Sequence, residues 1–459
     1  MILMSGLLAL SACEKEENFS SPEVQLTAEK LILCPGDEVI IKISSSDTIV
    51  DLSLVSLQLL NPSVGELNNF TYSAPSDLSE DEQILIQATY NGQLLDDSRL
   101  LLEIDGSNQE TFVRKYELYD IRTFHSMDLH SLPDGKLLAA SGERETGQLF
   151  RMAKLDTDGS ILWVRGFGEG SCEEVLIQQN TIIAGGVSYD GLERTLVVYE
   201  IDLEGNLLNT LQLGEAYALL DMEIYPEGDL LLAIAPQEAS QQTQLIKVDK
   251  SGNVLWEKRL DQALVRDLLI TDDEEIAMSY VTADKAILSL LSSAGTHRWD
   301  RELGTEQAYL PLALADDGSI VAAVHAVSNN RRFFGLQKYD TQGQPLFAYS
   351  FFPSPSADEY LIFDMKKVSD GYLISGMSIK DGTDRQYLRK ADVEGNPVWD
   401  WSYGNEQTQG FAHTIAALED DIFVWGGIED RSENALSLFN TLIRLDGDGT
   451  LSPCQQEGF

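Results

Sequence analysis

At 459 residues the chain exceeds one ordinary compact core, so two domains, or one domain with a large repeat array, are expected. Its 75 acidic against 32 basic residues leave a formal charge of −43 spread along the length; this argues against nucleic-acid binding and a polybasic membrane patch, and leaves cations, basic partners and neutral ligands open. With 43% hydrophobic residues, sixteen Tyr, sixteen Phe and six Trp the composition is that of a folded protein, and beyond the first residues no run is long and apolar enough to cross a bilayer as a helix.

The opening MILMSGLLALSAC is a short apolar stretch ending in small residues before Cys13. Leu10-Ser11-Ala12-Cys13 resembles the lipobox of bacterial lipoproteins, whose cysteine is diacylated and becomes the mature N-terminus. The resemblance implies a signal peptide over 1–12, cleavage before Cys13, and attachment to a membrane through lipid alone. No Lys or Arg precedes Cys13, so the positive start of such a leader is expected upstream. An acidic tether over 13–22 begins Glu14-Lys15-Glu16-Glu17 and resembles the signal that sends some lipoproteins of Gram-negative bacteria to the outer face of the outer membrane. That implies an outer-membrane, cell-surface address. Cys34, Cys172 and Cys454 then allow one disulfide, with Cys172 to Cys454 as a candidate, and the absence of a Cys-x-x-Cys gives no pointer to a redox motif or zinc site.

Residues 23–105 alternate apolar and polar positions in short runs, VQLTA, EVIIKISS, ILIQATYNGQ and RLLLEI, punctuated by Pro35-Gly36-Asp37 and Asn91-Gly92. Period-two patterning with such turns predicts an antiparallel β-sandwich. The order of phrases, with Tyr72-Ser73-Ala74-Pro75 between them, resembles bacterial Ig-like domains, which implies a spacer or an adhesive surface. A linker is expected over 106–109.

From residue 110 to 459 one phrase returns. LDTDGSILWVRGFG at 155–168 is followed by IDLEGNLLNTLQLG, VDKSGNVLWEKRL, SLLSSAGTHRWDRELG, KYDTQGQPLFAYSF, KADVEGNPVWDWSYG and RLDGDGTLSPC. The turn glycines, from Gly159 to Gly449, lie 46, 47, 43, 48, 52 and 54 residues apart, a period that suits one four-stranded propeller blade. An Asp opening the turn can accept the backbone N–H two residues on, and Gly at the fourth place admits positive φ. Trp163, Trp256, Trp299 and Trp399 are expected to fill the wedges between blades. The last unit lacks an outer strand while ETFVRKYEL at 110–118 is unclaimed, so a seven-bladed β-propeller closed by that N-terminal strand is predicted. The repeats resemble those of quinoprotein-like bacterial propellers; eight blades and an adjacent-cysteine disulfide, usual in the enzymes of that group, are not visible, so no catalytic residue carries over.

No Gly-x-Ser-x-Gly, His-Glu-x-x-His or Walker lysine motif occurs, so serine hydrolysis, zinc proteolysis and nucleotide hydrolysis lack support, and no catalytic residue or cofactor is assigned. Gly166-Phe167-Gly168-Glu169-Gly170 reads as an interblade turn, and Asp156 with Asp158 as turn chemistry rather than a calcium loop. Asp128, Glu174, Asp221 and Asp364 each precede their unit's glycine by 31 residues and Asp267 precedes Gly295 by 28; the equivalent places elsewhere fall near Pro311 and His413. If these strands line the axis, the five carboxylates ring one mouth of the channel, with His413 near the same mouth as a candidate binding residue beside them. Two readings are open: each carboxylate bonds backbone amides of a neighbouring blade, the role expected of a feature that recurs with the repeat, or together they attract a divalent cation. His130, Lys366 and His413 depart from the repeat, as ligand sites do. The expected function is non-enzymatic: an envelope lipoprotein whose propeller binds an envelope protein or a glycan, or scaffolds an outer-membrane complex, with no nucleic-acid partner. The alternative is a cation-dependent hydrolase or oxidoreductase at the acidic mouth.

Overall fold

The computed structural model describes residues 24–449 apart from 29–31, 34–36, 46–51, 61–63, 76–81, 92, 105–110, 117–125, 143–148, 191–192, 237–241, 305–308, 329–330, 352–357, 405–407, 419–420 and 431–436. Cys13, Cys34 and Cys454 lie outside these residues. No α-helix occurs among those described, and the chain divides into two compact units, 1–112 with 451–459, and 113–450.

In the first unit two four-stranded sheets share one core. One takes Val24–Ala28, Glu38–Ser45, Thr71–Ser73 and Glu66–Asn68 in spatial order; the other takes Ile32–Leu33, Gln93–Ile104, Glu82–Tyr90 and Val55–Leu59. Alternation does the sorting: Val39 and Ile41 are buried while Glu38 and Ile40 face out. Val24, Leu26, Ile41, Tyr72, Ile84 and Leu102 close the space between the sheets, making a β-sandwich.

The second unit is a seven-bladed β-propeller. Blades 3 to 6 are separate four-stranded antiparallel sheets beginning at Ala218–Ile224, Leu264–Ile270, Leu312–Leu314 and Glu359–Val368. Blades 1 and 2 are joined, because one strand, Ile161–Gln178, forms the outer edge of the first and the inner edge of the second. The glycine-rich stretch 166–170 is therefore no turn. It lets a continuous strand cross between blades, with Gly170 at φ 153 and so close to Val187 that a Cβ would lie 2.3 Å from its carbonyl oxygen. Blade 7 is Thr408–Leu418, Asp421–Asp430 and Ser437–Leu445, completed by Phe112–Tyr116. The innermost strands of blades 1 and 7 are neighbours, so the ring is closed.

The repeated phrase has one physical role at every joint. Each turn glycine, at φ between 72 and 83, donates its N–H to the carbonyl three residues earlier at 2.8 to 3.0 Å. The turn carboxylates are engaged too: Asp202 Oδ1 accepts from the N–H groups of Glu204 and Asn206. Trp163, Trp256 and Trp299 then donate their indole N–H to the carbonyls of Leu203, Ser293 and Thr341 in the next blade's turn, at 3.0 to 3.2 Å. A Cβ on Gly343 would lie 2.7 Å from the Trp299 ring, and one on Gly449 equally near Trp399. At the closing joint the N-terminal strand supplies the partner, with Tyr116 donating its hydroxyl to the Gly159 carbonyl at 2.6 Å. The lysine of each Lys-x-Asp phrase pairs inside its own blade with the acid of the upstream tight turn, as in Lys338 to Asp317 at 2.9 Å and Lys390 to Asp370 at 2.8 Å.

Cys172 is a free thiol buried in the core shared by blades 1 and 2, and its candidate partner Cys454 lies outside the described residues. Its neighbours there are Phe150, Val175 and Ile182, an apolar setting that holds the thiol protonated.

Candidate functional site

The innermost strands surround a cavity of about 710 Å³ into which Asp128, Glu174, Asp221, Asp267, Asp364 and His413 all project as lining residues. The four aspartates do a common job. Asp128 accepts the N–H of Leu129 in its own strand at 2.9 Å and that of Val175 in the next blade at 3.1 Å. Asp221 likewise accepts from Met222 and Leu268, Asp267 reaches Leu312, and Asp364 accepts from Met365 at 2.7 Å and Ile415 at 3.1 Å. Each carboxylate thus bonds one blade to the next through groups that the sheets leave unpaired. Between blades 5 and 6 the same task falls to buried His325, whose Nε2 accepts the Ile362 N–H at 2.9 Å; burial pulls its pKa down to about 4.

In the last blade the ring position, expected near His413, falls on its neighbour Thr414. In blades 2, 3, 4, 6 and 7 the pairing slips by one residue just before the ring position, at Cys172/Glu174, Leu219/Asp221, Val265/Asp267, Ile362/Asp364 and Ala412/Thr414. Thr414 therefore stands in the ring and donates its hydroxyl to Asp364 at 3.0 Å, while His413 is the bulged residue. Glu173, Leu220, Arg266 and Phe363 hold the same bulged place, and all line the cavity. The sequence carried a signal for this. Gly186, Gly376 and Gly426, in the small-residue strands of blades 2, 6 and 7, lie so close to the opposing carbonyls of Ser171, Leu361 and Phe411 that a Cβ would sit about 2.0 Å away.

Two arcs result. Over blades 5 to 7, Phe363 stacks on His413 with centroids 5.8 Å apart and meets Tyr309 and Phe411 edge-on at 5.1 and 6.0 Å. Over blades 1 to 4, Asp128, Glu174, Asp221, Glu223 and Asp267 crowd the wall. Burial, reinforced by the neighbouring acids, pushes Glu174 and Asp267 well above the carboxylate range and Glu223 up to about 8. Burial and then Glu223 push Asp221 up to about 7, and the charge of Asp221 adds to burial in raising Asp267, since adjacent buried charges repel. Burial opposes the charge of Asp128 also, but His130, Lys366 and the Val175 N–H outweigh it and hold this carboxyl well below its usual range. Lys366, attracted first by Asp364 at 3.7 Å and then by Asp128 and Glu174, keeps its proton more firmly than usual. Such a channel favours cationic or hydrogen-bond-donating groups and repels anions.

No family model matches the chain, and no curated protein matches it. Similar solved structures include a protein of unknown function from Bacteroides caccae, 14% identical over 58% of this chain and 93% of that one, with a TM-score of 0.40. A quinoprotein alcohol dehydrogenase-like protein from Bacteroides thetaiotaomicron is 10% identical over 82% and 94%, at 0.41. The NanB sialidase of Streptococcus pneumoniae is 11% identical over 90% and 89%, also at 0.41. At these levels no residue role passes from them to this chain, whose propeller rests on its own seven blades.

Proposed function

We propose that this chain is a non-enzymatic envelope lipoprotein, acylated at Cys13 and carried to the outer-membrane surface, in which an Ig-like sandwich serves as spacer and the propeller binds a protein or a glycan of the envelope. The observation that carries the binding role is the division of labour at the channel. The aspartates that recur with the repeat hold backbone N–H groups across the joints, whereas the bulged residues that vary, Phe363, His413, Arg266 and Glu173, stand at the opening beside Tyr309. Aromatic faces beside carboxylates suit sugar rings, which stack and donate hydroxyls, and suit basic side chains equally. The lipid anchor is supported by Leu10-Ser11-Ala12-Cys13.

The test is recovery of the full chain from membranes in mild detergent, with a glycan array in parallel, for the wild type and for Phe363→Ala. A stoichiometric envelope protein or a glycan class held by the wild type and lost by the folded variant is the expected result. Equal recovery by both removes the mouth from the binding surface. Palmitate incorporation that survives Cys13→Ala refutes the anchor.

A further inference from the structure

Blade 2 breaks the clamp pattern, and the break has a partner. Its ring residue is Glu174, one methylene longer than the aspartates, and among the described residues no hydrogen-bond donor reaches its carboxylate. The N–H it would take by analogy, that of Met222, is held by Asp221 itself. Two residues after the ring position the other blades carry Leu176, Glu223, Leu269, Ala313, Lys366 and Ala416; blade 1 carries His130. These two departures face each other. His130 Nε2 is 2.7 Å from Asp128 Oδ2, and one ligand atom from each of Asp128, His130 and Glu174 lies within 4.8 Å of the other two.

We infer that Asp128, His130 and Glu174 form a site for a divalent transition-metal ion of the zinc class, on the channel wall between blades 1 and 2. Three side chains from two adjacent strands, two carboxylate oxygens and an imidazole nitrogen, are the donor set such an ion takes while keeping an open position toward solvent. Calcium fits less well, since it seeks about six to eight oxygens. Asp128 is fixed as a ligand must be, because the Leu129 and Val175 N–H groups orient its carboxylate. The ion would engage the Glu174 carboxylate, which no hydrogen-bond donor reaches among the described residues. Its competitor is the Lys366 ammonium, which already feels both Asp128 and Glu174 across the channel.

The test is calorimetric titration of the chelator-treated full chain with zinc alone, and with cobalt for its visible spectrum. One equivalent is expected for the wild type. Glu174→Gln and His130→Gln should each weaken binding by more than about tenfold while the melting temperature shows a folded protein. The cobalt spectrum should change in His130→Gln, and Lys366→Met should bind more tightly. No binding by the wild type, or equal affinities in the two Gln variants and the wild type, overturns the site. Asp128 is left intact in every variant because its loss also opens a blade joint. Capture of a protein or glycan at the aromatic arc is a separate measurement and stands or falls on its own.

Discussion

The rim and the mouth of the propeller are made by the same repeat, yet they treat variation differently. At the rim an indole or its substitute meets the next blade's turn glycine at successive joints, and even the closing joint conforms through Tyr116. At the mouth the backbone device is kept by four aspartates, while the neighbouring bulged residue changes from Glu173 to Leu220, Arg266, Phe363 and His413. A stacked ring needs every joint to hold, so positions that bear the joint repeat. Positions one residue away carry no such constraint and are free to differ.

That contrast is broken or sharpened by measurement. The largest effect is expected from Asp364→Ala, which strips acceptors from the N–H groups of Met365 and Ile415 and leaves Lys366 without its nearest counter-ion; urea unfolding should show a loss of about 3 to 5 kcal/mol. A loss no greater than that of the adjacent Phe363→Ala would remove the distinction between clamp and mouth.

Acidity comes next. Glu223, raised to about 8 by burial, binds a proton more tightly in the fold than in the unfolded chain, so its stabilisation is complete below about pH 4.5 and disappears as pH rises through 8. Buried His325, lowered to about 4, has the opposite slope: stability is lost as pH falls from about 6.5 toward 4, because only the unfolded chain accepts the proton. The unfolding free energy should therefore peak in mildly acidic buffer and fall above it with a slope of up to about 1.4 kcal/mol per pH unit for the one proton, a slope that Glu223→Gln flattens in urea titrations at each pH.

Gly376→Ala should cost about 1 to 3 kcal/mol, since the new methyl meets the Leu361 carbonyl and pushes the bulge aside. A neutral result would mean that the bulge does not need glycine opposite it. The smallest change is Trp256→Phe, which keeps the wedge filled but deletes the bond to the Ser293 carbonyl; about 1 kcal/mol is expected in denaturant titration.

Much of the rim was legible from residues alone. Asp-x-x-Gly followed by Trp is a local chemical statement, and its recurrence gave the blades and the missing strand, observed at Phe112–Tyr116 within the expected 110–118. The mouth was legible only in part. Counting back from the glycines brought Asp128, Glu174, Asp221, Asp267 and Asp364 to one channel, but in the last blade it pointed only to the neighbourhood of His413 and could not single out Thr414. A one-residue slip in pairing exchanges the faces of a strand, and no periodicity records it. The crossing strand at 166–170 was missed because glycine marks a turn and a close approach alike.

The sequence by itself determined the all-β architecture, the seven units and the chemistry of each turn, because those are written in neighbouring residues within reach of one another along the chain. Only the tertiary structure decided what the carboxylates do. The N–H groups accepted by Asp128, Asp221, Asp267 and Asp364 belong to residues 45 to 51 places further on, and which acid finds a donor, and which, like Glu174, is left facing a histidine, depends on how one blade seats against the next.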